Sequence, residues 1–204
     1  MKRLLSIFFA IIAWFGVLVQ YYLMVENRIA SIGETTIRFF SFFTILTNSL
    51  VAIYFSLITL KAEKGLWARI YQPGTLTAIT VYITIVGLVY QIILRPLWQP
   101  TGLQKIVDEL LHTLIPIIVI IYWYLYEKKL LVNYRDIPKW LIYPSIYLIY
   151  ILIRGRFSNF YPYPFINLVN LGLSKVFINS ILLVVLFAGL SAGYVRVGKA
   201  IKNG

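Results

Sequence analysis

The sequence predicts an all-α polytopic membrane protein, a single domain that forms a bundle of six transmembrane helices. Hydrophobic residues make up 60% of the 204 residues and charged residues only 13%. The mean hydropathy is +0.82. Soluble domains have roughly 25% charged residues. A soluble fold of this size could not hide so much apolar surface, and the apolar residues gather in six runs.

The composition excludes several classes of function. The absence of cysteine excludes thiol nucleophiles, cysteine-ligated zinc, iron–sulfur clusters and disulfides. Because there is only one histidine, no zinc ligand set can be assembled, and we expect neither a metal site nor a cofactor. A net charge of +12 would suggest nucleic acid in a soluble protein. Here the charges lie between apolar runs, so we expect contacts with anionic membrane lipid and no nucleic-acid partner.

Six runs are predicted to span the membrane, since most approach the ~20 residues that cross ~30 Å of hydrocarbon. The first follows Lys2 and Arg3 and continues through Gln20 without a small-residue cleavage site, which favours a retained helix over a signal peptide. The fifth is the shortest. All are too long and too uniformly apolar for barrel strands. The predicted spans are residues 4–24, 37–60, 76–94, 106–126, 140–153 and 176–195.

The distribution of Lys and Arg predicts the orientation. Twelve of the 19 fall at the termini and in the loops after the second and fourth spans, and seven fall on the other side. Because the basic excess marks the cytoplasmic side, we expect a multi-pass protein of the cell membrane with both termini in the cytoplasm. The oligomeric state stays open.

Polar side chains concentrate in the outer half of the predicted bundle. The second span is the densest, because an arc of about 120° on one helix face would hold Ser41, Thr44, Thr47 and Asn48. Ser and Thr in membrane helices often bond their own backbone, whereas the Asn48 amide needs several partners. A tyrosine stripe on the fifth span reaches Tyr150, which is predicted to line the same pocket.

The only histidine, His112, is predicted about six residues, roughly 9 Å, inside the outer end of the fourth span, at the depth of Thr44. Asp108, four residues earlier on the same face, could accept the imidazole N–H and hold the tautomer that a general base needs, and Glu109 is a second candidate. A hydroxyl with a histidine and a carboxylate is the minimal set for acyl transfer. Asn48 or Gln91 could then stabilise the oxyanion, with Thr47 beside them.

The longest outer connection, residues 154–175, holds two X-Pro steps in YPYPF. These steps stop helix formation and favour extended backbone. The connection is predicted to be a flap over the polar cluster or an ordinary interfacial loop.

Three segments resemble a prokaryotic six-span membrane family, sometimes called Pr-six-Pr: RFFSFFTILTN at residues 38–48, DELLHTLIP at 108–116 and YPYPF at 161–165. That family is similar to the eukaryotic androgen-induced and androgen-dependent tissue-factor-pathway-inhibitor-regulating proteins. Those are membrane threonine hydrolases that cleave fatty acid esters of hydroxy fatty acids with one Thr and one His. The resemblance implies His112 as the histidine and Thr44 as the threonine by the gapless match. A shift of three residues nominates Ser41 instead.

The sequence thus predicts a hydrolase of lipid-like fatty acyl esters with Thr44, His112 and Asp108 as nucleophile, base and orienting acid. A non-enzymatic lipid or small-solute binder, or a proton-linked transporter, is the alternative. A structural partner in a larger complex is the third interpretation.

Overall fold

The computed structural model describes residues 1–62 and 64–201, and over these residues the secondary structure is helical without a β-strand. This confirms the all-α prediction. Six helical segments in the described residues are long and apolar enough to cross a membrane. They are Lys2–Glu26, Phe43–Leu60, Thr75–Leu97, Gly102–Tyr126, Tyr134–Ser158 and Leu168–Ala200.

The described residues form eight α-helices. Seven of them lie in these segments, α2 lies in none, and three of the eight meet π-helical turns. The helices are α1 (Lys2–Glu26), α2 (Ile32–Phe39), α3 (Phe43–Leu60), α4 (Thr75–Val89), α5 (Gly102–Glu109), α6 (Ile115–Tyr126), α7 (Ile137–Ser158) and α8 (Leu168–Ala200). A π turn at Tyr90–Leu94 extends α4, and a second π turn at Leu110–Leu114 joins α5 to α6. The chain divides into two compact units, Met1–Leu131 and Val132–Gly204.

The predicted second span was wrong in its first residues, because the helix breaks between α2 and α3. The Ser41 hydroxyl donates to the Ile37 carbonyl oxygen at 2.7 Å, and this bond closes the end of α2. Phe39 is buried beside α1, with its ring 5.0 Å from that of Tyr21. No Pro or Gly marks this break, so helical periodicity alone could not reveal it. Ser41 therefore lies in a turn and not on the helix face that holds Thr44.

The ends of three other spans also differ from the prediction. The fourth begins at Gly102, so His112 lies ten residues or ~15 Å along it instead of ~9 Å. The fifth extends to Ser158 and contains Pro144. The sixth begins at Leu168 with a non-helical Gly172, at φ 74°. The predicted loop 154–175 is thus helical at both ends, since the charged and polar residues there do not stop a helix.

The core of the first unit is aromatic where α1, α3 and α6 meet. The Phe55 ring lies edge-on to Phe9 and Tyr122, with ring centres 5.3 and 4.9 Å away. The Tyr122 hydroxyl is 2.9 Å from the Ser6 hydroxyl oxygen. Each hydrophobic ring is buried, and the one polar tip among them has a partner, as burial requires.

A buried carboxylate holds the start of α4 against the end of α6. Glu127 Oε2 accepts hydrogen bonds from both the backbone N–H and the hydroxyl of Thr77, each at 2.9 Å. The Trp123 indole N–H donates to the same hydroxyl oxygen. Lys129 is buried close by and donates to the Tyr124 carbonyl oxygen at 2.6 Å. Burial lowers the pKa of Lys129, and the negative charge of Glu127 opposes that shift.

The second unit closes on the short segment between α7 and α8. The Tyr161 ring lies so close to Gly155 that a Cβ added there would clash with the ring. Asn179 of α8 donates to the Phe165 carbonyl oxygen at 2.7 Å. The Arg154 guanidinium lies 5.1 Å from the centre of the Phe160 ring. The YPYPF segment is therefore folded onto its own unit, and its predicted role as a flap stays a prediction.

Candidate active site

The two π turns of the first unit meet around the histidine. Gly87, at the end of α4, brings its backbone close to the second turn, since an added Cβ would lie 3.2 Å from the His112 carbonyl oxygen. Pro116 has no N–H to donate to that oxygen, so a regular α-helix is already interrupted there. Single π turns inside α-helices are frequent at functional sites. Local sequence thus places a helix irregularity at the residue with the most useful acid–base chemistry.

The imidazole of His112 is held through Nδ1. This atom lies 2.9 Å from the Asp108 carbonyl oxygen and 3.3 Å from Asp108 Oδ1. Because a carbonyl oxygen can only accept, Nδ1 carries the proton in the neutral ring, and Nε2 carries the lone pair. Nε2 makes no hydrogen bond with the part of the chain that is described. The predicted spacing of Asp108 and His112 brings the two side chains together.

Tyr90 contacts both members of this pair. Its hydroxyl donates to Asp108 Oδ2. Its ring stacks on the His112 ring, with centres 4.0 Å apart and planes tilted by 16°. Asp108 is 5% exposed, so its carboxyl group depends on these two side chains in place of water.

Asn48 connects the backbone of α3 to the second π turn. Its Nδ2 donates to the carbonyl oxygens of Thr44, at 2.8 Å, and Leu111, at 3.3 Å. Both amide hydrogens are therefore committed. Its Oδ1 is buried without a hydrogen-bond partner among the described residues. Asn48 thus presents an acceptor, whereas the predicted oxyanion role requires a donor.

Four polar side chains form a second hydrogen-bonded ring. Three of them, Gln91, Glu109 and Thr113, directly follow Tyr90, Asp108 and His112 in the sequence, and Arg95 is the fourth. Gln91 Nε2 donates to the Thr113 hydroxyl at 2.8 Å, and that hydroxyl donates to Glu109 Oε2 at 2.7 Å. Arg95 closes the ring by donating to Gln91 Oε1 and to Glu109 Oε1. Gln91 keeps one amide hydrogen outside these bonds. Glu109 binds this ring and not the imidazole, which leaves Asp108 as the acid beside His112.

The remaining predicted residues fall in three places. Thr44 and Thr47 are buried on the first two turns of α3. Ser41 is buried in the turn before it and donates to Ile37. Tyr150 lies on α7 in the second unit and is exposed. Within the described residues, the hydrogen bonds of His112 are made through Nδ1 alone, and none of them joins it to Thr44 or Ser41.

The arrangement of Asp108 and His112 supports acid–base chemistry. In the described residues, no group of three or more His, Cys, Asp and Glu side chains could hold a metal ion. An imidazole with its lone pair on Nε2 can take a proton from a hydroxyl and return it to a leaving group. Asn48 joins the first turns of α3, which carry the hydroxyl groups of Thr44 and Thr47, to Leu111, the residue before His112.

Sequence reasoning missed Tyr90, Arg95 and Thr113. Tyr90 stands three residues after Gly87 and directly before the predicted Gln91, so helical spacing could have nominated it. Aromatic residues are common in membrane spans, and that signal alone is weak. The contact of Arg95 with Glu109 of α5 could not have been placed, because it depends on how two helices pack. Its other partner, Gln91, lies four residues before it in the π turn Tyr90–Leu94.

Comparisons with known proteins return no match: no family model, no curated protein and no solved structure matches this chain.

Proposed function

We propose that this protein is an integral membrane hydrolase of lipid-like fatty acyl esters. Thr44 is the nucleophile, His112 the general base and Asp108 the residue that orients the imidazole. The observation that carries the proposal is the hydrogen bonding of His112 Nδ1 to Asp108, which leaves Nε2 as a proton acceptor. The resemblance to the Pr-six-Pr family and its hydrolase relatives supports the same pair of residues.

The reaction proceeds through a covalent acyl intermediate. His112 Nε2 takes the proton of the Thr44 hydroxyl as its oxygen attacks the ester carbonyl carbon. The tetrahedral intermediate expels the alcohol, which leaves with the proton from Nε2. Water, activated in the same way, then hydrolyses the acyl-threonine and releases the fatty acid. The free amide hydrogen of Gln91 favours it over Asn48 as a donor to the oxyanion.

The substrate class follows from where the site lies. His112 is within a 25-residue apolar helix that is long enough to cross a bilayer. A substrate reaches such a site from the lipid phase, which favours an acyl ester over a soluble metabolite. The protein resides in the cell membrane with both termini in the cytoplasm, as the basic residues of its loops indicate.

The test is covalent labelling of the detergent-purified protein with a fluorophosphonate, followed by mass spectrometry of the adduct. We expect an adduct on Thr44 in the wild type and its loss, at least about 100-fold, in Thr44→Ala and His112→Ala. Thr84→Ala is the matched control, because the Thr84 hydroxyl donates to its own helix at the Thr80 carbonyl oxygen. An adduct on Ser41 that disappears in Ser41→Ala would move the nucleophile to that residue. No adduct in folded wild-type protein would overturn the hydrolase.

A proton-linked binder or transporter is the second candidate, favoured by one observation. Tyr90 and Asp108, which are buried, and the partly buried His112 form a chain of proton-carrying groups within two candidate spans. For this candidate, we expect proteoliposomes with an imposed pH gradient to take up a solute. The Asp108→Asn substitution is expected to abolish that uptake. Esterase activity without such uptake excludes this candidate.

A further inference from the structure

One buried hydrogen-bond acceptor beside the proposed site is the side-chain oxygen of Asn48. The residue is fully buried, and its Oδ1 accepts no hydrogen bond from the described residues. Its amide orientation is fixed, because Nδ2 donates to the carbonyl oxygens of Thr44 and Leu111 and a flipped amide would point its oxygen at both. A buried acceptor without a donor is costly, so a bound molecule that donates to Oδ1 would stabilise the site.

The position of this oxygen relates it to both residues of the proposed reaction. Thr44 and Asn48 stand four residues apart within α3, so their side chains are neighbours on one helix face, with Cβ atoms about 5–6 Å apart. The bond from Asn48 to Leu111 places the amide against the second π turn, at the residue before His112. The Asn48 amide therefore joins the helix turn that carries the nucleophile to the turn that carries the base.

We propose that Asn48 Oδ1 binds the water molecule that hydrolyses the acyl-threonine, which makes Asn48 a catalytic residue of the second half of the reaction. This inference rests on the proposed hydrolase function. The acyl ester can enter from the lipid, whereas the bilayer interior contains no bulk water, so a hydrolase within it must hold its second substrate at polar atoms.

The polar atoms of the site match the chemistry of water. A buried water molecule needs roughly two to four polar partners. Water has two hydrogens to donate, and two acceptors without a donor among the described residues are Asn48 Oδ1 and His112 Nε2. A fatty acyl ester carries no N–H or O–H at its carbonyl group, so it cannot supply the donor that Asn48 Oδ1 lacks.

The step is the hydrolysis of the acyl-threonine ester. The water oxygen attacks the acyl carbonyl carbon, and His112 Nε2 takes the proton that faces it. The bond between the acyl carbon and the Thr44 oxygen then breaks, and that oxygen recovers the proton from Nε2. The second hydrogen, which is directed at Asn48 Oδ1, stays on the attacking oxygen and leaves with the fatty acid.

The experiment is steady-state hydrolysis of p-nitrophenyl dodecanoate by the purified protein. Because p-nitrophenolate leaves readily, the second half-reaction limits kcat, whereas kcat/KM reports the first. For Asn48→Leu we expect kcat to fall at least about tenfold, kcat/KM to stay within about twofold, and acyl-Thr44 to accumulate in mass spectra. Asn179→Leu is the matched control, because it removes an amide that donates to a carbonyl oxygen in the second unit.

Two results of this experiment would overturn the proposal. A merely structural role of Asn48 lowers kcat and kcat/KM by the same factor, because the first half-reaction then fails as well. An unchanged kcat in folded Asn48→Leu would mean that the water is held elsewhere. Folding is judged by gel filtration and thermal unfolding in detergent.

A measurement on the wild type covers the case in which Asn48→Leu fails to fold. Thr47–Asn48 is the only Thr-Asn step in the sequence, so labelling with ¹³C′-threonine and ¹³C,¹⁵N-asparagine assigns Asn48 without a variant. We expect nuclear Overhauser contacts between water and the Nδ2 protons of Asn48. They should persist in Thr44→Ala, which lacks the hydroxyl that could relay the signal. Absence of these contacts in the wild type would overturn the proposal.

The same two measurements separate this inference from the proposed function. A wild type that neither turns over the ester nor forms a fluorophosphonate adduct refutes the hydrolase. Water contacts at Asn48 in such a protein support the water site and refute its hydrolytic role. Turnover by a wild type without those contacts supports the hydrolase and refutes the water site.

Discussion

At the scale of a residue, the buried side-chain amide of Asn48 joins α3 to the second π turn. Its two N–H groups connect α3 with the π turn that carries His112, although α3 and that turn are far apart in sequence. Thr44 lies at the very start of α3, whereas His112 lies well inside its helix. The amide bridge therefore brings the backbone at Thr44 to the level of Leu111, the neighbour of His112.

Asn48→Asp is expected to destabilise the protein by about 3 kcal/mol or more, because it replaces both donors by an oxygen that faces two carbonyl oxygens. Thermal unfolding in detergent measures this loss. Asn170→Asp, at an exposed position in the second unit, is the control for the change in charge. Equal melting temperatures for the two variants would contradict the bridging role of the amide.

At the scale of an element, α4 is defined by what holds its two ends. Its start is bound by the Glu127 carboxylate, and its far end passes into the π turn that carries Tyr90 and Gln91. Two of its threonines, Thr80 and Thr84, donate to their own helix. The orientation of α4, which positions Tyr90, thus depends on a buried acid at the opposite end of the unit.

Glu127→Gln is expected to lower the free energy of unfolding by about 1–2 kcal/mol. The amide can still accept one hydrogen bond from Thr77, but the negative charge near the positive end of the helix dipole is lost. Chemical or thermal unfolding in detergent reads out the difference. Glu26→Gln removes an exposed carboxylate and serves as the control. A loss no greater than that of Glu26→Gln would mean that Glu127 does not stabilise α4.

At the scale of the whole molecule, the charge distribution predicts which loops face the cytoplasm. The chain has no cysteine, so single cysteines can be introduced without a background. Gln99 and Lys128 are exposed in the connections after the third and fourth candidate spans. They are predicted to lie on opposite sides of the membrane.

In intact cells, a membrane-impermeant maleimide is expected to label Gln99→Cys and to label Lys128→Cys only after permeabilisation. The physical reason is the preference of basic loops for the cytoplasmic side. The extent of labelling on a denaturing gel is the measurement, with labelling after detergent lysis as the control for reactivity. The reverse pattern would invert the topology, and labelling of both in intact cells would contradict a membrane-spanning segment between them.

Sequence by itself determined the features that depend on local periodicity and composition. Long apolar runs predicted six helices long enough to span a membrane, since 20 residues of helix match the thickness of the hydrocarbon. The spacing of four residues placed Asp108 beside His112, because such residues are neighbours on a helix. Neither inference needed a contact from elsewhere in the chain.

Tertiary structure alone decided the features that depend on distant partners. The break between α2 and α3 follows from the docking of Phe39 on α1 and from the Ser41 hydroxyl, in a segment without Pro or Gly. The stacking of Tyr90 on His112 and the bridge from Asn48 to Leu111 join separate helices. Such contacts depend on how helices pack, which periodicity within one helix does not encode.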